Sequence, residues 1–139
     1  MKKKPKQYYH HLIKTFFKFN QLPSYFIFYP TSRCNLKCSH CFYHDSLNKK
    51  FNELSVEELN NITKTMDPIL HLILTGGEPY LRKDLDKITQ VFYENTQTPI
   101  ITIPSNGWYT SKMKETLSSI MENCKDLIIN QQISIDGIG

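Results

Sequence analysis

Three cysteines fall within eight residues, "CNLKCSHC" at 34–41, with Cys34, Cys38 and Cys41 separated by three residues and then two. Thiolates at this spacing can turn inward from one loop and hold a soft metal or an iron–sulfur cluster. A structural zinc asks for four closed ligands. His44, three residues past Cys41, would complete a set of three Cys and one His, and His40 inside the loop is a second candidate. The loop alone therefore leaves two readings open. One is a zinc site with every position filled; the other is a cofactor with one position free for chemistry.

Other polar and glycine-rich segments have the same look: "TGGEP" at 75–79, "PSNG" at 104–107 and "SIDG" at 134–137. The elements that must position them alternate in type. Strands are expected in "SYFIFYPTS", "ILHLILTGG", "PIITIPSNG" and "DLIINQQISIDG". The second is a continuous apolar run, the pattern of a strand buried on both faces of a parallel sheet. Between them lie three helical stripes. The first, Val56, Leu59, Ile62, Thr63 and Met66, opens with a capping box of Ser55 and Glu58 and stops at Asp67-Pro68. The second is Leu81, Leu85, Ile88 and Phe92. The third is Met113, Leu117, Ile120, Met121 and Cys124, with Thr110 or Ser111 as the expected cap.

The order β-α-β-α-β-α-β predicts an α/β fold of parallel strands joined by right-handed helical crossovers. In such sheets ligands gather at the carboxyl ends of the strands, where all four polar segments fall. Four strand ends meeting on one rim say more than any single motif.

Cys34, Cys38 and Cys41 in a C-x3-C-x2-C arrangement, followed after the next strand by Gly76-Gly77-Glu78-Pro79, resemble the radical S-adenosylmethionine (SAM) enzymes. The resemblance runs over roughly residues 25–139. It implies the N-terminal portion of a partial (β/α)6 TIM-like barrel, truncated, with a 1–22 basic leader and a 23–139 radical SAM core incomplete at its C-terminus. The loop "TSRCNLKCSHCFY" looks most like the subgroup that often carries C-terminal auxiliary iron–sulfur clusters.

The resemblance also implies chemistry. Three thiolates hold three irons of a [4Fe–4S] cluster, and the amino and carboxylate groups of SAM chelate the fourth. An electron from the cluster cleaves SAM to a 5′-deoxyadenosyl radical, which takes hydrogen from a substrate. Carried over residue by residue, Gly76, Gly77, Glu78 and Pro79 cradle the methionine amino group, with the Glu78 carboxylate as its acceptor. Ser134 and Asp136 match strand-four positions that touch the ribose or carboxylate of SAM, and Ser105 and Asn106 match the family's third-strand turn. Phe42 or Tyr43 would lie near the adenine, and Arg33 against the cluster loop. Beside this stands the alternative of a non-catalytic zinc-stabilised α/β module using Cys34, Cys38, Cys41 and His44. Cys124 on its apolar stripe reads as a core residue, and His71 as a packed or edge histidine.

Composition frames these readings. The chain has 139 residues, 40% hydrophobic and 22% charged, the range of an ordinary globular domain. Residues 1–44 hold eight Lys/Arg and no acid, so a basic leader precedes a net acidic remainder. That leader reads as a solvated arm, with no firm sign of a nucleic-acid or membrane partner. Clustered thiols without a recognisable secretory signal point to a reducing, cytoplasmic location. The expected partners are SAM, an electron donor such as flavodoxin or ferredoxin, and a substrate these residues do not specify.

Overall fold

A computed structural model of the chain describes residues 25–50 and 52–135. The basic leader, Asp136 and the last glycines lie outside the described residues. Four strands form one sheet: β1 Tyr25–Thr31, β2 His71–Gly76, β3 Ile100–Ser105 and β4 Ile128–Ile133. Three helices connect them: α1 Val56–Thr63, α2 Leu85–Thr96 and α3 Thr110–Asn123. Short 3-10 turns at His44–Ser46 and Pro79–Leu81 follow β1 and β2.

The strands lie in the order β1-β2-β3-β4, and every neighbouring pair is parallel. Right-handed crossovers that always advance in one direction put all the helices on one face. That is the winding of a β/α barrel wall, whereas a doubly wound sheet reverses its order and carries helices on both faces. The core is accordingly a single layer. Leu72, Leu74, Ile101 and Ile103 from the strands meet Leu59, Leu85, Ile88, Phe92, Met113 and Ile120 from the helices and Cys124 just past α3. Phe26 and Phe28 extend it by packing on Phe92, with ring centroids 5.8 and 5.6 Å apart.

The expectation of a β2 buried on both faces is corrected here. Leu72 and Leu74 are buried against the helices, but Ile73 on the other face is only half-buried. Tyr25, Ile27 and Tyr29 of β1 are exposed on that same face. A barrel wall needs both faces apolar, because its concave side becomes the barrel interior. The apolar run in β2 thus records the barrel, although the described residues cover only one side of the sheet.

Helix ends follow local chemistry. Ser55 and Glu58 form the predicted capping box, with Glu58 N–H donating to Ser55 Oγ at 3.2 Å and Ser55 N–H to the Glu58 carboxylate at 2.8 Å. Hydrogen bonding from Ser55, first from its backbone and then from its side chain, holds the Glu58 carboxyl below its ordinary pKa. α1 stops at Thr63, before the Asp67-Pro68 pair, because 3-10 bonds from Thr65 and Met66 close its last turn. Ile62, on the stripe read from spacing, is exposed. α3 begins at Thr110 itself, preceded by Tyr109 without a side-chain cap, so neither Thr110 nor Ser111 caps it. No helix among the described residues is long and apolar enough to cross a membrane.

Candidate cofactor site

The carboxyl ends of β1, β2 and β3 and the segment after β4 surround one open cleft of about 450 Å³. Cys34, Cys38, Cys41, Gly76, Gly77, Glu78, Ser105, Asn106 and Ser134 all line it, and Asn106 Nδ2 comes within 4.0 Å of Cys34 Sγ. The structure brings together every described residue assigned to the site from sequence except Pro79. That proline is buried at the start of the turn behind Glu78.

Backbone hydrogen bonds hold the cysteine loop. Cys41 N–H donates to Cys38 O at 3.2 Å, and His44 N–H to Cys41 O at 3.0 Å. Leu36 N–H points at Cys34 Sγ, 3.4 Å away. The Cys34 thiol is pushed above its ordinary pKa, first by burial and then by the charges of Glu78, Cys38 and Cys41, against the lowering pull of Leu36 N–H. Cys34, Cys38 and Cys41 all line the same cleft.

The glycines are fixed by the loop they support. Gly77 N–H donates to Thr31 O at 3.0 Å and Glu78 N–H to Arg33 O at 2.8 Å, so the turn after β2 carries the start of the cysteine loop on its backbone. A Cβ at Gly77 would lie 2.2 Å from Arg33 O, and Gly76 has φ +117° with a Cβ position 2.7 Å from Thr31 O. Neither position admits a side chain.

Glu78 is 2% exposed, and its carboxylate is turned into the chain. Oε1 accepts from Ser105 Oγ at 2.9 Å and from Tyr80 N–H at 3.3 Å; Oε2 accepts from Asn106 N–H at 2.9 Å. The acid ties the end of β2 to the end of β3. Asn106 passes the tie on, donating from Nδ2 to Asn35 Oδ1 at 2.9 Å within the cysteine loop. Tyr80, fully buried beside Glu78, donates its hydroxyl to Gln131 of β4. Burial, and then the Glu78 charge, raise its pKa. Ser134 N–H donates to Ser105 O at 2.9 Å, which sets the start of the segment after β4 against the same rim.

The two aromatic residues after Cys41 lie with ring centroids 6.2 Å apart but differ in exposure. Phe42 is 81% exposed at the mouth of the cleft, whereas Tyr43 packs on Tyr29 with ring centroids 5.4 Å apart. Arg33 turns away from the thiols and pairs with Glu53, Nε and the terminal nitrogen each 3.2 Å from a carboxylate oxygen. His71 lies at the opposite end of β2, its Nε2 2.7 Å from Thr102 Oγ1, and burial lowers its pKa. Burial likewise raises the Cys124 thiol to about 11, as for an inert core residue.

Sequence reasoning missed three residues here. Asn48 grips the backbone of Cys34. Glu53 gathers Arg33, Thr31 and Arg82, while the buried Arg82 reaches Pro30 O at 3.0 Å and Leu54 O at 2.6 Å. The partners named here are 14 to 52 residues away, and no local spacing announces such contacts.

The donor set, three cysteines lining one open cleft, suits a cluster. A [4Fe–4S] cluster takes each thiolate on a different iron, so three thiols spread around an open cleft fit it. The fourth zinc ligand of the alternative, His44, pairs with Asp45 at 3.5 Å outside the cleft lining.

A parallel β/α barrel wall with three cysteines after its first strand and a Gly-Gly-Glu turn after its second defines a class of cofactor-dependent enzymes. The model of the Radical SAM superfamily matches residues 28–134, and the chain belongs to that superfamily. Its enzymes use a [4Fe–4S] cluster and SAM. Curated relatives include a GTP 3',8-cyclase of Nautilia profundicola, 30% identical over 104 residues, 72% of this chain and 33% of that protein. A GTP 3',8-cyclase of Aliarcobacter butzleri is 32% identical over 91 residues, 63% and 28% of the two chains. An Fe-coproporphyrin III synthase of Methanosarcina barkeri is 35% identical over 81 residues, 55% and 19%. The chain thus spans about a third or less of these relatives. Among solved structures, BtrN in complex with AdoMet and 2-DOIA overlays with a TM-score of 0.49 at 16% identity, covering 81% of this chain and 58% of that one.

Proposed function

We propose that residues 23–139 are the cofactor-binding part of a radical SAM enzyme that reductively cleaves SAM and abstracts hydrogen from a substrate. The observation that carries this is the meeting of three thiols with the Gly-Gly-Glu turn across one cleft. Cys34, Cys38 and Cys41 hold the cluster through three irons. When bound, the cluster supplies the electron that breaks the sulfonium bond of SAM to give the 5′-deoxyadenosyl radical.

The chain's own residues bind and orient. The cleft lining at Gly76 and Gly77 has no side chains, so the methionine end of SAM can approach the backbone closely. Ser105, Asn106 and Ser134 line the same cleft with polar residues, and Asp136 follows Ser134 by two residues. Glu78 acts behind this surface, holding Ser105 and Asn106 in place. Phe42 at the mouth offers a face on which a purine can stack. Reduced flavodoxin or ferredoxin supplies the electron, in the reducing cytoplasm to which clustered free thiols are suited.

Anaerobic reconstitution with iron and sulfide tests this reading. The expected product is brown, holds about four irons per chain as a [4Fe–4S] centre requires, and changes its EPR signal when SAM is added. A colourless protein with one tightly held zinc and no response to SAM would overturn it in favour of the zinc module.

A further inference from the structure

The three cysteines are held unequally. Cys38 and Cys41 are joined only to the loop's own backbone in the bonds described above. Cys34 is gripped from outside the motif. Its N–H donates to Asn48 Oδ1 at 3.0 Å, and its C=O accepts from Asn48 Nδ2 at 3.1 Å. One side-chain amide thus pairs with both polar backbone groups of Cys34, as a neighbouring strand would. The grip is anchored in turn. Asn48 N–H donates to Ser32 O at 2.9 Å, and Ser32 Oγ donates to Lys49 O at 3.1 Å. Asn48 itself has φ +57°, a left-handed conformation that asparagine tolerates better than most residues.

The consequence is topological. The chain leaves β1, runs through all three cysteines and returns at Asn48 to the residue where the motif began. Residues 34–48 form a loop closed by side-chain bonds at its neck, with its first ligand at the closure. A ligand whose backbone is fixed on both sides gives up little conformational freedom when it binds. Groups that orient ligands in this way govern how firmly a metal is kept.

We propose that Asn48 is a positioning residue for the cluster: it presets Cys34 as the fixed ligand, to which Cys38 and Cys41 then adapt. The proposal rests on the reading of this loop as a [4Fe–4S] ligand set. Its chemistry needs both faces of a carboxamide, one accepting and one donating, on a residue at ease in the left-handed region.

The test uses the full chain as wild type, N48A and N48G. N48G removes the amide but relieves the backbone, so the pair separates the clip from the left-handed conformation. After anaerobic reconstitution, iron release to a ferrous chelator is expected to be roughly tenfold or more faster in both variants, the low end for lost orienting contacts. In the apo-proteins, mass-spectrometric mapping of alkylation is expected to show Cys34 reacting several-fold faster in both variants, with Cys38 and Cys41 at wild-type rates. Iron release at the wild-type rate in N48A overturns the proposal. So does restoration of that rate in N48G, which would assign the effect to backbone strain alone. Loss of a cooperative melt in both apo variants also overturns it, because Asn48 would then serve the fold and not the ligand. A wild-type chain that takes up no [4Fe–4S] centre would instead fail the functional reading itself.

Discussion

At Glu78 one side chain decides how two strand ends meet. A carboxylate buried this deeply is costly unless its oxygens are satisfied, and Tyr80 N–H, Ser105 Oγ and Asn106 N–H satisfy them. Glu78→Ala would strand three donors in a dry place. Losing the acceptors is expected to cost roughly 3 kcal/mol at a penalty of about 1–3 kcal/mol per buried unpaired group, read as a lower urea midpoint. Glu78→Gln keeps one acceptor oxygen and recovers part of the loss. Because Asn106 also reaches Asn35, both variants are expected to weaken SAM binding by the reconstituted protein in titration calorimetry. An unchanged urea midpoint for Glu78→Ala would contradict the structural role. The motif "GGEP" was visible in the sequence, but the direction of its acid was not. A carboxylate after two glycines suits an external ammonium group as well as an internal hydroxyl. The arrival of β3 beside β2 brings the internal partners, Ser105 Oγ and Asn106 N–H. The glycines read more directly, since close approach was expected there. What approaches in this structure is the Arg33 carbonyl.

Between elements, Arg82 does for the outer side of the rim what Glu78 does inside. Its guanidinium lies 2.5 Å from Asp84 Oδ1 and 3.1 Å from Glu53 Oε2 while donating to Pro30 O and Leu54 O. One planar fork thereby joins the end of β1, the approach to α1 and the turn before α2. Removing one partner of a buried pair leaves the others uncompensated. Arg82→Ala is therefore expected to lose roughly 3–5 kcal/mol, and Arg82→Lys to recover little, because a point charge cannot span the fork. The acid limb supplies an independent readout. Arg82 is the main cause of the depressed Asp84 pKa, so the folded state holds that carboxyl ionised more firmly than the unfolded chain does. The contribution is complete above the unfolded pKa and disappears as pH falls through the lower folded value. Arg82→Ala should remove this part of the acid limb, so its melting temperature falls less between pH 5 and pH 2.5 than that of the wild type. An equal fall in both proteins would argue against the pairing. The helices and strands themselves were legible, because periodicity and caps are local signals. The contacts of Arg82 were not, since they join residues 2 to 52 apart without a repeating pattern.

Over the whole chain, the winding, the cleft and the charge distribution point the same way. The four-strand alternation could be read from composition because parallel strands and crossover helices differ in period. The one-sided helical layer then followed from handedness. The concave face was harder, because an apolar run in β2 looks the same whether its second side meets helices or a barrel interior. Charge is segregated along the same lines. Residues 25–50, which contain all three cleft cysteines, carry Arg33, Lys37, Lys49 and Lys50 against Asp45 alone. Residues 52–135 carry eleven acids against seven bases. Lys37, Lys49 and Lys50 are exposed on the segment that holds the proposed cluster, while Arg33 is paired with Glu53. A positive surface around a redox centre draws a negatively charged donor, and salt screens that attraction once the Debye length shrinks below about 10 Å. Reduction of the reconstituted protein by an acidic flavodoxin is therefore expected to slow several-fold as sodium chloride rises from about 50 to 500 mM. Replacing Lys37, Lys49 and Lys50 with Gln should slow the low-salt rate by a similar factor and flatten its salt dependence. A cationic viologen radical should show the opposite trend with the wild-type chain, because it meets the same field with the opposite sign. Stopped-flow bleaching of the cluster absorbance measures all of these rates. A flavodoxin rate indifferent to salt would remove charge attraction from the account of how this segment receives its electron.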